Sequence, residues 1–113
     1  MGATEHQRRT LIGDVKPYEL PQSLDELHGP DHGTVHLRHS VRWATGDGSV
    51  SVDTLGGIRL AYRAVIEEGH VEDQAAVLNP ARLAQVWNEL TLARRARELW
   101  EERFPELRAA PAA

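Results

Sequence analysis

Cysteine is absent from the chain, which excludes a disulfide framework and any thiolate zinc site. Phe and Met occur once each, and Lys16 is the only lysine. No apolar run approaches the roughly 18 residues of a membrane span. The opening stretch from Met1 to Arg9 also lacks the apolar core of a secretion signal. The expected location is therefore cytoplasmic. Positive charge is not in excess either, since 13 basic against 17 acidic side chains leave a net charge of −4. Residues 1–53 carry 5 basic and 8 acidic groups, and residues 54–113 carry 8 and 9. Neither half is a polycation, which weighs against non-specific nucleic-acid binding. The twelve arginines, set among many Ala and Gly, read as codon bias rather than as a functional signal.

Signs of catalysis are equally scarce. Ser23, Ser40, Ser49 and Ser51 have no nucleophile context, and no glycine-rich phosphate loop is visible. Glu67-Glu68 and Glu101-Glu102 are neighbours on predicted helices, so the two carboxylates of each pair diverge. No two groups are spaced to push each other's pKa values apart. The reading is a non-enzyme with no catalytic residues, no cofactor and no metal.

What is present fits one small domain. A chain of 113 residues has room for a single core without staples. Hydrophobic content of 41% and charged content of 27% are ordinary globular values. Residues 1–20 show no sustained period and read as a flexible tail. Residues 21–108 read as the domain, and residues 109–113 as a frayed end.

Ser23 and Glu26 form a Ser-x-x-Glu capping pattern for a helical turn at Leu24–Leu27, which Gly29-Pro30 ends. From Thr34 to Trp43 the pattern alternates. Val35, Leu37, His39, Val41 and Trp43 take one face, and His36, Arg38, Ser40 and Arg42 take the other. A turn at Ala44–Gly48 leads to a second strand at 49–52, giving a hairpin of about 34–43 and 49–52. Helices must cover its apolar face, because a lone hairpin is marginal in water. Three or four follow. Asp53 or Thr54 caps a stripe of Leu55, Ile58, Tyr62, Val65 and Ile66, with the helix proper starting at Gly57 or Ile58 and Gly69 stopping it. A short helical turn covers Val71–Leu78. Asn79-Pro80 opens a helix carrying Leu83, Val86, Trp87 and Leu90. Thr91 caps a last helix with Leu92, Ala96, Leu99 and Trp100 inward, and Pro105 ends it. The expected fold class is α+β.

Three groups are site candidates. His28, His32, His36 and His39 lie within twelve residues, but His36 and His39 point to opposite faces of the strand and cannot share an ion. His39 is expected at the core edge and the others in solvent. Arg38 and Arg42, with His36, form a basic outward strand face that can meet an acidic partner, meet phosphates, or simply keep a sheet soluble. Arg94, Arg95 and Arg97 open the last helix, where positive charge opposes the helix dipole. They are either a contact patch or are paired along the helix as Arg94–Glu98, Arg97–Glu101 and Arg95–Glu98. Trp43, Trp87 and Trp100 sit at core spacing and are expected to pack together with Leu37, Leu83, Val86, Leu99 and Phe104.

Four stretches in combination carry a resemblance. They are Leu24-Asp25-Glu26-Leu27-His28-Gly29-Pro30, the strand ending at Trp43, Val86-Trp87, and Leu99-Trp100-Glu101-Glu102-Arg103-Phe104-Pro105-Glu106-Leu107. Over about residues 22–108 the chain resembles a family of small actinobacterial proteins often met beside nucleotidyltransferase-type toxins of the abortive-infection class. The turn Ala44–Gly48 and the charge-poor stretch Gln74–Leu78 depart from that pattern. The resemblance implies an antitoxin-like or accessory role and brings no functional residues with it.

Two functions follow as expectations. The first is a protein-binding module for such a toxin, with Arg38, Arg42, Arg94, Arg95 and Arg97 as contact candidates. The alternative is a small DNA-binding transcriptional regulator using the 80–104 helix pair as a helix-turn-helix, with the arginines at the start of its second helix.

Overall fold

The computed structural model describes residues 18–38 and 48–108, and they form an α+β fold. After a 3-10 turn at Leu24–Glu26 come strands β1 (Thr34–His36) and β2 (Ser49–Ser51). Five helices follow: α1 (Leu55–Glu68), α2 (Val71–Val77), α3 (Pro80–Val86), α4 (Arg94–Arg103) and α5 (Pro105–Arg108). A second 3-10 turn, Trp87–Glu89, extends α3. The two strands pair antiparallel, with Val35 opposite Val50 and Thr34 and His36 opposite Ser51 and Ser49. The expected alternation holds wherever it can be followed. Val35 and Leu37 are buried, and His36 and Arg38 face out. His39, Val41, Arg42 and Trp43, together with turn residues Ala44–Asp47, lie outside the described residues.

Helix α1 lies against β2 and α2, while α5 packs on both α3 and α4. The Thr54 hydroxyl accepts the Gly57 N–H, so α1 begins at Leu55 rather than at Gly57 or Ile58. Two glycines in the first turn are tolerated because one of them is needed. A Cβ on Gly57 would stand 1.7 Å from the Ser51 carbonyl oxygen, so only glycine lets the helix reach the strand. Leu55, expected inward, is 44% exposed, and Ala61 takes a place on the buried stripe with Ile58, Tyr62, Val65 and Ile66.

Asn79 caps α3 as its sequence implies, its side-chain oxygen accepting the Arg82 N–H, with Pro80 in the first turn. Thr91 does not cap the last helix. Leu90 leaves the Trp87–Glu89 turn in an extended conformation, and Ala93 is the residue before α4. Ala93 has no capping side chain, and Glu67 of α1 supplies the acceptor for its N–H at 2.6 Å. Pro105 ends α4 and also opens α5.

Trp87 and Trp100 are fully buried with ring centroids 6.3 Å apart, and Phe104 stacks 5.5 Å from Trp100. Leu37, Leu83 and Val86 join the same buried cluster, whereas Leu99 is only half-buried. The two sequence blocks at the domain ends are docking devices. His28 and Gly29 donate their N–H groups to the Ala75 and Leu78 carbonyls at the end of α2. A Cβ at Gly29 would meet the Val77 carbonyl oxygen at 2.2 Å. At the other end, Phe104 and Leu107 are buried, and Arg103 donates to the Pro21 carbonyl at 3.3 Å. No helix among the described residues is long and apolar enough to cross a membrane.

Candidate protein-binding face

The five candidate arginines meet different fates. Arg38, at the end of the hairpin, makes two 2.7 Å hydrogen bonds to the carboxylate of Asp73 on α2. This fork-on-carboxylate geometry is the strong form of ion pair, and it ties the hairpin to the helix. Arg42 lies outside the described residues. Arg97 is turned inward. Its guanidinium stands 5.0 Å from the centroid of the Trp87 ring and donates to the Leu90 carbonyl and to the Trp87 carbonyl, which also accepts the Leu90 N–H. It also approaches Glu101 at 3.7 Å, and Glu101 accepts the Trp87 indole N–H at 2.8 Å. Arg97 and Glu101 thus fix the bend between α3 and α4.

Arg94 and Arg95 remain outward. Among the described residues Arg94 makes only the expected long contact to Glu98, 3.8 Å, with its side chain 90% exposed. The expected Arg95–Glu98 pair does not form, because the ion pairs of this helix run at a spacing of four residues. Arg95 instead lines a shallow cleft of about 430 Å³ with Glu98, Glu101, Glu102, Pro105 and Arg108. Positive charge at the start of α4 is tolerated because the Glu67 carboxylate sits on the first free N–H of that helix. The compensating anion that the sequence asks for is inside the chain.

A second charged cluster escaped sequence reasoning. Glu19, assigned by the sequence to the tail, accepts from His70 Nδ1 at 2.8 Å and from the Val71 N–H at 3.0 Å. Its carbonyl accepts the buried Gln74 amide at 2.8 Å, and the same amide reaches the Val65 carbonyl at 3.1 Å. Tyr18 and Leu20 pack against the core on either side of it. Asp73, already holding Arg38, also accepts the His70 N–H and so completes a capping box at the start of α2. Glu19, His70, Asp73 and Arg38 therefore run in series from the N-terminal segment, across α2, to the hairpin.

Their proton affinities follow from this arrangement. The hydrogen bond from His70, aided by the Val71 N–H, holds the Glu19 carboxyl below its ordinary value. The bond to Glu19 and then its charge raise the His70 imidazole. Partial burial works to raise Asp73, but the bonds from Arg38 and the His70 backbone outweigh it and the net shift is downward. The same carboxylate raises Arg38 further. Burial raises the Tyr62 hydroxyl, which accepts the Asn79 N–H at 3.3 Å. One signal for the cluster lay in the sequence: His70-Val71-Glu72-Asp73 has the spacing of a capping box. Nothing in the sequence pointed to Glu19.

Of the four histidines, His28, His32 and His36 are exposed and His39 lies outside the described residues. Among the described residues no three His, Asp or Glu side chains are grouped to hold a metal ion. Glu67 and Glu101 turn to the Ala93 N–H and the Trp87 indole, so neither carboxylate pair converges.

No protein-family model matches the chain, and no curated protein and no solved structure matches it.

Proposed function

We propose that this chain is a non-catalytic protein-binding module that acts as an antitoxin-like or accessory partner of a nucleotidyltransferase-type toxin in the cytoplasm. The observation that carries the binding reading is the α4 cleft. It presents Arg95 and Arg108 among Glu98, Glu101 and Glu102, around the apolar ring of Pro105. Mixed charge of this kind suits a protein surface of matching pattern. A nucleic-acid backbone, all negative, would meet the Glu98 and Glu102 carboxylates beside the arginines, Glu101 being turned to the Trp87 indole. The choice of a toxin as partner rests on the family resemblance of the two end blocks.

The DNA-binding alternative keeps Arg94 and Arg95 on the first turn of α4. It loses Arg97, which is spent on Trp87 and the Leu90 carbonyl. In a helix-turn-helix the second helix leans on the first across a short turn. Here α3 packs on α5, and the residues from Trp87 to Ala93 separate it from α4.

The test is co-expression of the chain with the reading frames that flank it in its genome, followed by size exclusion with light scattering. The expected result is a stoichiometric complex with a neighbour that is toxic alone, weakened at least tenfold by Arg95→Glu. A chain that stays alone beside every neighbour, yet binds a specific duplex with a steep salt dependence, overturns the proposal in favour of the regulator.

A further inference from the structure

We infer that the pocket between the loop at 29–32 and α3 binds a small oxyanion, with Arg82 as its principal ligand. The pocket holds about 130 Å³, with Asp31 and His32 on the loop side and Asn79, Arg82 and Gln85 on the helix side. It shares no residue with the α4 cleft. Two bonds tie loop to helix and give the pocket a fixed shape. Asn79 Nδ2 donates to the Gly29 carbonyl at 3.1 Å, and Arg82 Nη2 donates to the Asp31 carbonyl at 3.3 Å. Asn79 is held in turn, because its own N–H donates to the buried Tyr62 hydroxyl. At roughly 30 Å³ per water the pocket has room for about four waters, the scale of a phosphate or an acetate and too small for a nucleotide.

The sign of the ligand follows from the state of Arg82. Arg38 and Arg59 are matched by the carboxylates of Asp73 and Glu89. Among the described residues no carboxylate pairs with Arg82, whose side chain donates to a neutral carbonyl. Its guanidinium is nevertheless partly withdrawn from water, since Nε is buried and has no acceptor among the described residues. A charge held this way is unfavourable without a counter-charge. An anion in the pocket supplies one at the part of the guanidinium that lines it. Nε is covered, so the ion acts on it through the delocalised charge and not through a bond. The start of α3 contributes no donor of its own, because the Asn79 side chain already takes the Arg82 N–H. His32 and Gln85, both exposed, add side-chain donors at the rim. Asp31 is the carboxylate on that rim. It is 62% exposed and stands 3.6 Å from His32, so it weakens an anion without taking its place.

One full positive charge acts in an open pocket that salt screens, so a dissociation constant on the order of 1 mM is expected at low ionic strength. The test is titration of the full chain with inorganic phosphate, and separately with acetate, up to about 50 mM. Proton–nitrogen NMR follows the backbone amides of His32 and Gln85. The expected result is a saturating shift of both. Arg82→Gln weakens it about tenfold or more, and Arg63→Gln, on α1, leaves it unchanged. Asp31→Asn tightens it several-fold, because the main-chain carbonyl that holds Arg82 is kept and only the repulsion is removed. Loss of folding in a variant cannot produce tighter binding. Phosphate bound well ahead of acetate assigns the pocket to a phosphoryl group, and acetate bound as well assigns it to a carboxylate; both support the inference. Shifts that grow linearly with either salt and never saturate overturn it. So does saturation that is indifferent to Arg82→Gln, or an Asp31→Asn protein that binds no more tightly than the unaltered chain.

Discussion

Adjacent glycines in the first turn of α1 should respond to alanine with opposite signs. At Gly56 a Cβ would meet nothing within 4 Å, so Gly56→Ala only removes backbone freedom from the unfolded chain and improves helix propensity. The expected gain is about 0.4–1 kcal/mol. At Gly57 the new Cβ would stand 1.7 Å from the Ser51 carbonyl oxygen and 2.9 Å from its carbon. A normal contact needs roughly twice the first distance, and both partners are backbone, so no side chain can swing aside. The helix must retreat from β2 by more than an ångström. Ile58 and Val52, both almost fully buried beside this contact, then lose packing. Overpacking of this kind costs about 1–3 kcal/mol, sometimes more. The same methyl group one residue apart should therefore separate the variants by about 1.4–4 kcal/mol. At about 4–8 °C per kcal/mol for a domain of this size, Gly57→Ala should melt at least about 6 °C below Gly56→Ala. Thermal and urea unfolding followed by circular dichroism reads this directly. A Gly57→Ala protein as stable as Gly56→Ala would refute the docking of α1 on the hairpin.

Three further outcomes are expected. The His70 imidazole is raised and the Glu19 carboxyl lowered by their mutual bond. The stability contributed by His70 is complete below the ordinary imidazole value and is lost as pH rises through its raised one. That of Glu19 is complete above the ordinary carboxylate value and is lost as pH falls through its lowered one. The Glu19–His70 link is thus firmest in mildly acidic solution, and a proton NMR titration should show the His70 midpoint falling on Glu19→Gln; an unmoved midpoint would remove the pairing. Arg97→Ala should destabilise by about 1–2 kcal/mol in urea unfolding, through loss of the Trp87 stack and the carbonyl bonds, while exposed Arg95→Ala stays within about 0.5 kcal/mol. Trp87 donates its indole N–H to Glu101, whereas the buried Trp100 indole nitrogen has no acceptor among the described residues. Trp87→Phe should therefore cost about 1–2 kcal/mol more than Trp100→Phe, although both remove the same atoms.

Where the sequence pattern is periodic, it foretold the fold. Val35 and Leu37 alternate with His36 and Arg38 as a half-buried strand should, and Asn79-Pro80 opens α3 by a local rule that needs no neighbours. The misplaced residues are those whose environment comes from far along the chain. Leu55 has the right spacing for the core, but the stripe that meets α2 and β2 is centred on Ala61 and Tyr62, so Leu55 is left outside. Thr91 is a good cap by residue type, yet Glu67, 26 positions before Ala93, does the capping instead.

The candidate site divides along the same line. Sequence by itself determined that Arg94, Arg95 and Arg97 open one helix and that Glu98, Glu101 and Glu102 follow, because those relations are fixed by helical spacing. Only the tertiary structure decided which arginine is free. Arg97 is drawn in by Trp87 and two carbonyls at the end of the preceding turn, and Arg38 by Asp73 on α2, while Arg95 is left at the cleft. Likewise no local pattern marks Glu19, because its partners His70, Val71 and Gln74 lie more than fifty residues away. Periodicity records which face of an element is apolar. It carries no information about which distant charge will meet that face once the elements are packed.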